Sequence, residues 1–315
     1  MRNNSIQVKA SRQVSKTYIK LMLTMIFWGG TFISGRMLAG QVTPFIAAFL
    51  RFAMAAAILL IVLYRRNGRL PAIPSHLLLP IICLGLTGVF SYNVFFFWGL
   101  QSVAASRASV IIANNPVFIA IFAALIFKER LGWIKSLGVL ISMSGAVIAI
   151  SRGDMAGLVN GGLGWGDLMI FGCVLSWAAF SLIGKIVVAY IPPLTAISYA
   201  ALVGALLLFF PAVMDGMFGA LGEYALLDWG NIAYLGVFGT VLGFVWYYEG
   251  IERIGATRAA LFINFVPINA IIMAFFLLGE PLTWSLLIGT ALVLSGVYLT
   301  NNGLPYYHKC TGLQT

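Results

Sequence analysis

The sequence carries few charged residues for its length. Only 9% of its 315 residues are Asp, Glu, Lys or Arg, whereas a soluble domain carries roughly a quarter. Hydrophobic residues make up 61% of the chain, which leaves too little polar surface for a fold solvated by water on every side. The scarcity of charge therefore excludes an ordinary soluble domain.

Histidine and cysteine are also scarce. His76 and His308 lie outside the hydrophobic runs, so a metal site built on intramembrane histidine is excluded. Cys83, Cys173 and Cys310 have no metal-like spacing, and they imply no disulfide framework. No Walker or Rossmann pattern lies between a strand and a helix. We expect neither a metal nor a cofactor.

The apolar residues form runs of about 20, the length that a helix needs to cross a hydrocarbon core of roughly 30 Å. The runs are continuous rather than alternating, which excludes a β-barrel. The sequence predicts an all-α membrane protein with ten transmembrane helices. The predicted spans are residues 17–38, 44–64, 77–98, 106–127, 133–151, 166–189, 194–214, 231–250, 256–278 and 282–300.

The net charge of +10 is distributed unevenly between the predicted loops. Fifteen of the 19 Lys and Arg residues fall on the side of the N-terminus, three fall on the other side, and Arg51 lies within a span. This asymmetry follows the positive-inside rule and predicts that both termini are cytoplasmic. We therefore expect a multi-pass protein of the cell inner membrane, with a lipid bilayer rather than nucleic acid as its surroundings.

An internal repeat divides the chain. Residues 107–147 align without a gap to residues 258–298, an offset of 151 (258 minus 107), and this offset also pairs residues 84–100 with 235–251. At an offset of 149, Trp28 pairs with Trp177. Each half holds five spans, and because five is odd, the second copy must enter the membrane from the opposite side, which predicts two inverted five-helix repeats. The predicted units are a cytoplasmic tail at 1–16, repeat 1 at 17–151, an external linker at 152–165, repeat 2 at 166–301 and a cytoplasmic tail at 302–315.

The first span contains "WGGTFISGR", and each half ends with Pro, about a dozen apolar residues, Glu, Trp, Gly and Ser-Gly. These motifs resemble those of the drug/metabolite transporter (DMT) superfamily of the EamA type. The resemblance implies a ten-helix secondary transporter for a small-molecule substrate such as an amino acid, a metabolite or a drug-like compound. It also implies export, although some similar proteins take compounds up.

Polar residues and helix breakers coincide near the predicted mid-depth of the bilayer. Pro116 and Pro267 lie about ten residues into their spans, and Trp28 and Trp177 lie eleven residues into theirs. The prolines predict bends in the helices, because proline removes a backbone hydrogen bond. The two tryptophans are candidates for substrate binding. The nearby amides of Asn114, Asn115 and Asn264 are candidates as well, with hydrogen bonding between helices as their alternative role.

Arg51 is the only basic residue well inside a predicted span, roughly 10 Å from its outer end by helical rise. A charge at that depth is costly unless it faces the protein interior or a water-filled path. It is a candidate for binding a substrate carboxylate, and the alternative is that its side chain reaches the outer headgroups.

Aromatic residues concentrate in "YNVFFFWG" and "VWYYEG". We expect these aromatic side chains to form an interfacial belt or, alternatively, gates on either side of the substrate-binding site. The gate candidates are Tyr92, Phe96, Trp246 and Tyr247. Asn93 offers a polar contact beside them and is a candidate for substrate binding.

Three acidic residues remain to be assigned. Glu249 is a weak candidate for coupling to protons, with a charge partner such as Arg253 or Arg258 as the alternative role. Glu129 and Glu280 precede helices and are interpreted as caps. The alternative of an enzyme that acts on lipids is disfavoured, because the spans contain no nucleophile paired with a base or a metal. The sequence contains no feature that indicates or excludes a homodimer.

Overall fold

The structure is a computed structural model, and it describes residues 2–127, 132–151 and 164–302. Glu129, Arg152, most of the predicted linker and the C-terminal tail from residue 303, with His308 and Cys310, lie outside the described residues. Within those ranges all regular secondary structure is helical.

Within the described ranges ten helices are long and apolar enough to cross a membrane, which confirms the predicted number of spans. We number them as spans one to ten. Their bounds are Ser15–Leu38, Pro44–Asn67, Ser75–Ser102, Ala105–Ile126, Trp133–Ser151, Trp165–Val187, Pro193–Met214, Leu226–Ile254, Arg258–Leu278 and Trp284–Asn301.

Span eight and the first helix extend beyond the bounds predicted from the sequence. Span eight is longer at both ends than the predicted 231–250, because polar residues continue the helix where hydropathy falls. Asp228 in its first turn accepts a hydrogen bond of 3.0 Å from the Ala225 backbone N–H, which stabilises the helix start. The helix that contains span one begins at Arg2, so the predicted N-terminal tail continues the first helix.

Prolines break spans four and nine near their middle. Span four consists of helices Ala105–Ile112 and Asn115–Phe127, and span nine of helices Ala256–Ile263 and Phe265–Leu278. Since Pro116 and Pro267 have no N–H, the carbonyls four residues earlier lose their helical donors. The predicted bends are therefore breaks, and each divides its span into two half-helices.

Spans three and eight each contain a π-helical segment. The segments are Gly85–Ser91 and Tyr234–Leu242, and they occupy positions that the internal repeat aligns. A π-helix displaces the regular i→i−4 bonds, and such segments are frequent at functional sites. In span eight, Thr240 Oγ1 donates to the Leu235 carbonyl, five residues earlier, at 2.9 Å.

Spans five and ten pack closely through small residues. A Cβ added to Gly145 would lie 2.7 Å from the Gly289 carbonyl oxygen, and one added to Gly296 would lie 2.5 Å from the Gly138 carbonyl oxygen. Only glycine permits this approach of two backbones, as in other membrane helix pairs. The last helix of the first half is thereby packed against the last helix of the second half.

The bundle has two ends, which we call the first face and the second face. The first face is the end at which span one begins, marked by Lys20 and Arg66, and the second face is the opposite end, marked by Arg107 and Asp167. The buried core extends from span one to span nine.

Candidate functional site

A cavity of about 190 Å³ lies between the halves. Spans one to four contribute from the first half, and spans six, eight and nine contribute from the second half. Its walls are mainly aromatic and aliphatic. The lining residues are Trp28, Thr31, Phe32, Arg51, Tyr92, Phe96, Ser109, Ile112, Ala113, Asn115, Pro116, Ile119, Trp177, Gly239, Phe244, Ile263, Val266 and Pro267.

Many of the residues singled out from sequence meet at this cavity. Those that line it are Trp28, Arg51, Tyr92, Phe96, Asn115, Pro116, Trp177 and Pro267. Those outside the lining are Asn93, Asn114, Asn264, Trp246, Tyr247 and Glu249. The two tryptophans and two prolines therefore converge from both halves, as their common depth indicates.

Arg51 is buried at the cavity wall. Only 8% of the residue is exposed. Its Nη1 donates to Asn93 Oδ1 at 2.9 Å, and its Nε donates to Thr240 Oγ1 at 3.1 Å. Among the described residues no carboxylate lies within ion-pairing distance of Arg51. The guanidinium is a buried cation held by two neutral side chains.

The two side chains that hold Arg51 are fixed by their own helices. Asn93 Nδ2 donates to the Val89 carbonyl at 2.7 Å, and Thr240 donates to the Leu235 carbonyl. Asn93 follows the π-helical segment of span three, and Thr240 lies within that of span eight. Arg51 is thus oriented from both halves, and its second amino group, Nη2, makes no hydrogen bond to any described residue.

The adjacent amides Asn114 and Asn115 differ in their surroundings. Asn114 Nδ2 donates to the Val110 and Ile111 carbonyls at 3.1 and 3.2 Å, and its Oδ1 accepts from Ser142 Oγ at 2.7 Å. This side chain caps the first half-helix of span four. Asn115 lines the cavity, and its Oδ1 is buried without a hydrogen-bond partner among the described residues.

Asn264 stands at the corresponding break of span nine, between Ile263 and Phe265. It is half-buried and outside the cavity lining. The amide of Asn115 is therefore the only asparagine side chain in the cavity wall that the structure describes.

Aromatic rings form the walls. The Trp28 indole N–H donates to the Gly239 carbonyl at 3.0 Å. Tyr92 stacks on Phe96 at 6.0 Å and contacts Trp177 at 5.5 Å between ring centroids. Trp177 in turn stacks on Phe244 at 6.5 Å. Rings from spans one, three, six and eight thus enclose the space beside Arg51.

The two gate candidates of span eight lie behind this wall. Tyr247 contacts Trp28 at 5.2 Å, so it supports a lining residue from outside. Trp246 packs on Phe27 at 5.8 Å, and Lys20 Nζ lies 5.7 Å from its ring centroid. Of the four gate candidates, Tyr92 and Phe96 alone are in direct contact with the cavity.

Glu249 is paired near the first face. Its Oε2 lies 2.7 Å from Lys20 Nζ, which joins span eight to span one. Glu249 is therefore a charge partner, which was the alternative role, but its partner is Lys20 instead of Arg253 or Arg258 because the helix turns Glu249 toward span one. Both side chains are partly exposed.

The second face is closed by buried polar contacts between the halves. Arg107 Nη2 lies 3.1 Å from Asp167 Oδ1, and both side chains are buried. The Glu280 carboxylate accepts from the Ala105 and Ser106 backbone N–H groups at 2.7 and 3.0 Å, and from Ser106 Oγ at 2.5 Å. Glu280 is a cap, as predicted, but it caps span four of the other half rather than the helix that follows it.

Sequence reasoning missed several residues of the site. Thr31, Ser109, Gly239 and Phe244 line the cavity, and Thr240 holds Arg51. The internal repeat contained one usable signal, which pointed to Thr240. This polar residue lies in an apolar run and is aligned with the apolar Val89 of the other half. Among the described residues, no group of three or more His, Cys, Asp or Glu side chains is placed to hold a metal ion.

Comparisons with known proteins agree with this architecture. The model of the EamA-like transporter family matches residues 15–151 and 164–302. The uncharacterized transporter YyaM of Bacillus subtilis (strain 168) is 32% identical over 287 residues, covering 91% of this chain and 93% of that protein. An uncharacterized transporter of Archaeoglobus fulgidus is 30% identical over 285 residues, covering 90% of this chain and 98% of that protein.

A relative with a more specific name is the probable terminal-alkyne amino-acid exporter of Streptantibioticus cattleyicolor. It is 28% identical over 298 residues, covering 92% of this chain and 94% of that protein. A crystal structure of a protein with 19% identity covers 90% of this chain and 96% of its own, with a TM-score of 0.61, which shows a shared fold. The chain belongs to the EamA-like transporter family and is a multi-pass membrane transporter, not an enzyme.

Proposed function

We propose that this protein is a secondary transporter that exports small organic carboxylates across the cell inner membrane, with both termini in the cytoplasm. The observation that carries the proposal is Arg51, a buried cation at the cavity wall with no acidic partner among the described residues. A buried charge is costly unless it is paired. A substrate carboxylate supplies the missing partner.

The geometry of Arg51 suits the binding of an anion such as a carboxylate. Its Nη1 and Nε are engaged by Asn93 and Thr240, while Nη2 has no bond to a described residue. A guanidinium held in one orientation presents its remaining N–H groups to an anion at little entropic cost. Hydrogen bonds of this charge-assisted kind are roughly twice as strong as neutral ones.

Other groups of the lining support a polar substituent next to the carboxylate. The amide of Asn115 makes no hydrogen bond to the protein through Oδ1. Ile112 and Ile263 also line the cavity, and their carbonyls cannot receive the usual helical donor because Pro116 and Pro267 lack an N–H. These oxygens suit an ammonium or hydroxyl group of the substrate.

The aromatic walls of the cavity are suited to the apolar part of a substrate. Trp28, Tyr92, Phe96, Trp177 and Phe244 provide flat apolar surfaces, and aromatic pairs add about 0.5–1.5 kcal/mol beyond area burial. The volume of about 190 Å³ is below the roughly 300–1,000 Å³ of sites for drug-sized ligands. Apolar amino acids and related acids fit these requirements. The name of the Streptantibioticus relative, a probable amino-acid exporter, supports the same class.

Alternating access would result from movement of one five-span half against the other. Two observations support an inverted repeat. The family model matches in two segments, and span one begins at the first face whereas span six begins at Asp167 and the second face. Inverted repeats place the binding site at their interface, where this cavity lies.

The experiment is efflux from proteoliposomes that contain the purified protein and labelled L-leucine, L-phenylalanine or 3-phenylpropionate, with an amine of similar size as the control solute. We expect saturable flux of carboxylates and little flux of the amine. Absence of flux for all of them from a protein that elutes as a folded species would contradict the proposal. If flux occurs only inward, the protein is an uptake permease of the same fold and not an exporter.

A further inference from the structure

We infer that Thr31 is a specificity-determining residue whose methyl group excludes substrates with a branch at the carbon that bears the carboxylate. The inference rests on the proposed function, in which Arg51 binds that carboxylate. Thr31 lies in span one and lines the cavity, so it would act by direct contact with the substrate. Arg51 recognises the charge of the substrate, and Thr31 would select its shape.

The Thr31 methyl group lies close to the amino group of Arg51 that is left for a ligand. A Cβ added to Gly239 would lie 2.6 Å from Thr31 Cγ2 and 3.9 Å from Arg51 Nη2, so both atoms lie next to a Cα that has no side chain. Nη2 makes no hydrogen bond to a described residue, and all three residues line the cavity. A carboxylate bound to Nη2 consequently places its next carbon within reach of the Thr31 methyl group.

The Thr31 side chain is held with its methyl group toward Gly239. Thr31 Oγ1 donates to the Trp28 carbonyl at 2.6 Å, which fixes the hydroxyl against its own helix. The residue is buried, and a β-branched side chain has little freedom about χ1 in a helix. The wall beside Arg51 Nη2 is therefore a methyl group in a fixed position.

The internal repeat shows what a larger side chain does at this point. Thr31 is aligned with Phe180 at the offset of 149, and Gly239 is aligned with Gly88 at the offset of 151. A Cβ added to Gly88 would meet the Phe180 ring, so the same pair of repeat positions is in contact twice in this structure. Phe180 packs on Trp177 at 5.2 Å, and Phe180 and Gly88 lie outside the cavity lining. The ring fills the space that the methyl group leaves open.

The position of the guanidinium differs together with this pair. Arg51 is aligned with Ala200 at the offset of 149, and Ala200 is buried. Open space and a cation therefore occur at one set of repeat positions, and a ring and an alanine occur at the other. The cavity has a volume of only about 190 Å³, so a single methyl group in its wall affects which substrate shapes fit beside Arg51.

The test uses three carboxylates that differ by one methyl group. The reference is 3-phenylpropionate. The compound 2-methyl-3-phenylpropionate has a branch next to the carboxylate, and its isomer 3-phenylbutyrate has the branch one carbon farther away. Initial rates of efflux of each labelled compound from proteoliposomes give kcat/KM, which is divided by the value for 3-phenylpropionate because such a ratio does not depend on the amount of folded protein.

Three variants separate the methyl group from the hydroxyl. Thr31→Ser removes Cγ2 and retains the hydroxyl that binds the Trp28 carbonyl. Thr31→Val removes the hydroxyl and retains a branched side chain of nearly the same size. Thr24→Ser is the matched control, because Thr24 is a buried threonine of the same span that donates to the Lys20 carbonyl at 2.9 Å and lies outside the cavity lining.

We expect a low ratio for 2-methyl-3-phenylpropionate in the wild type. Thr31→Ser should raise that ratio about tenfold, the lower end of the effect of one methylene group in a hydrophobic pocket, and should leave the ratio for 3-phenylbutyrate within about twofold. Thr31→Val and Thr24→Ser should leave both ratios within about twofold of the wild type. Should Thr31→Ser fail to fold, Thr31→Ala removes the same methyl group and should raise the same ratio.

An unchanged ratio for 2-methyl-3-phenylpropionate in Thr31→Ser, an equal gain for both isomers, or the same gain in Thr31→Val or Thr24→Ser would overturn the inference. Equal transport of the two isomers by the wild type would overturn it as well. Failure of the proposed function looks different, because the wild type would then move none of the three carboxylates. Transport of 3-phenylpropionate with no effect of Thr31→Ser would remove only the role of Thr31.

Discussion

Asn114 Oδ1 accepts a hydrogen bond of 2.7 Å from Ser142 Oγ, and this contact ties the broken span four to span five. The neighbouring Asn115 turns its amide to the cavity instead. Two adjacent and chemically identical side chains therefore belong to different parts of the molecule, one to the scaffold and one to the site.

The first prediction separates these two asparagines. Asn114→Leu leaves the Val110 and Ile111 carbonyls without their side-chain donor and should lower stability by about 1–3 kcal/mol. Asn115→Leu should leave stability nearly unchanged but reduce discrimination between L-phenylalanine and 3-phenylpropionate. Thermal unfolding in detergent and competition for transport measure the two effects. Equal destabilisation by both substitutions would contradict the assignment.

The second prediction concerns Glu249 as an ion-pair partner. Lys20 and Glu249 are 2.7 Å apart, with side chains that are 39% and 29% exposed. Pairs of this kind contribute roughly 0.2–1 kcal/mol because solvent and salt screen them. Glu249→Gln should therefore retain most of the transport rate. Complete loss of flux from folded Glu249→Gln protein would instead support the coupling role considered from sequence.

The third prediction concerns the buried ion pair at the second face. Asp167→Asn removes the carboxylate that lies 3.1 Å from the Arg107 guanidinium, and the loss of one member of a buried ion pair costs about 3–5 kcal/mol. We expect a large drop in the thermal unfolding temperature. Glu252→Gln is the control, since its pair with Arg66 is 3.9 Å long and more than half exposed. A similar unfolding temperature for Asp167→Asn and wild type would contradict this account.

The fourth prediction concerns orientation. In a background without Cys83, Cys173 and Cys310, single cysteines are introduced as Arg69→Cys and Glu223→Cys at exposed positions of the first and second faces. An impermeant maleimide applied to intact cells should label the variant at 223 and leave the variant at 69 unlabelled, since positive loops remain inside. Labelling of both variants, or of 69 alone, would reject the predicted topology.

Much of the fold could be predicted because the length and hydrophobicity that a bilayer requires are properties of short, continuous segments of the sequence. Runs of about 20 apolar residues determine spans, and a proline determines where a helix loses a donor, so the ten spans and both breaks followed from residues near one another. The repeat added the common depth of Trp28, Trp177, Pro116 and Pro267, and these four residues do meet at the cavity.

The site was less accessible to sequence reasoning because its contacts join distant segments. The anchors of Arg51 lie 42 and 189 residues away in the chain, and no local pattern indicates which polar side chains will meet. Glu280 shows the same limit. Its position before a helix indicated a cap, but its partner, span four, is set by the packing of the halves.

Whether Arg51 binds the substrate carboxylate is tested by the initial rate of counterflow for the Arg51→Gln and Arg51→Lys variants against that of the wild type. Arg258→Gln, at an exposed site outside the cavity lining, is the matched control. We expect Arg51→Gln to lower the rate of L-leucine and 3-phenylpropionate counterflow at least about tenfold, which corresponds to the loss of one charge-assisted hydrogen bond. Arg51→Lys should retain an intermediate rate, and Arg258→Gln should match wild type. Wild-type rates in folded Arg51→Gln protein would contradict the claim.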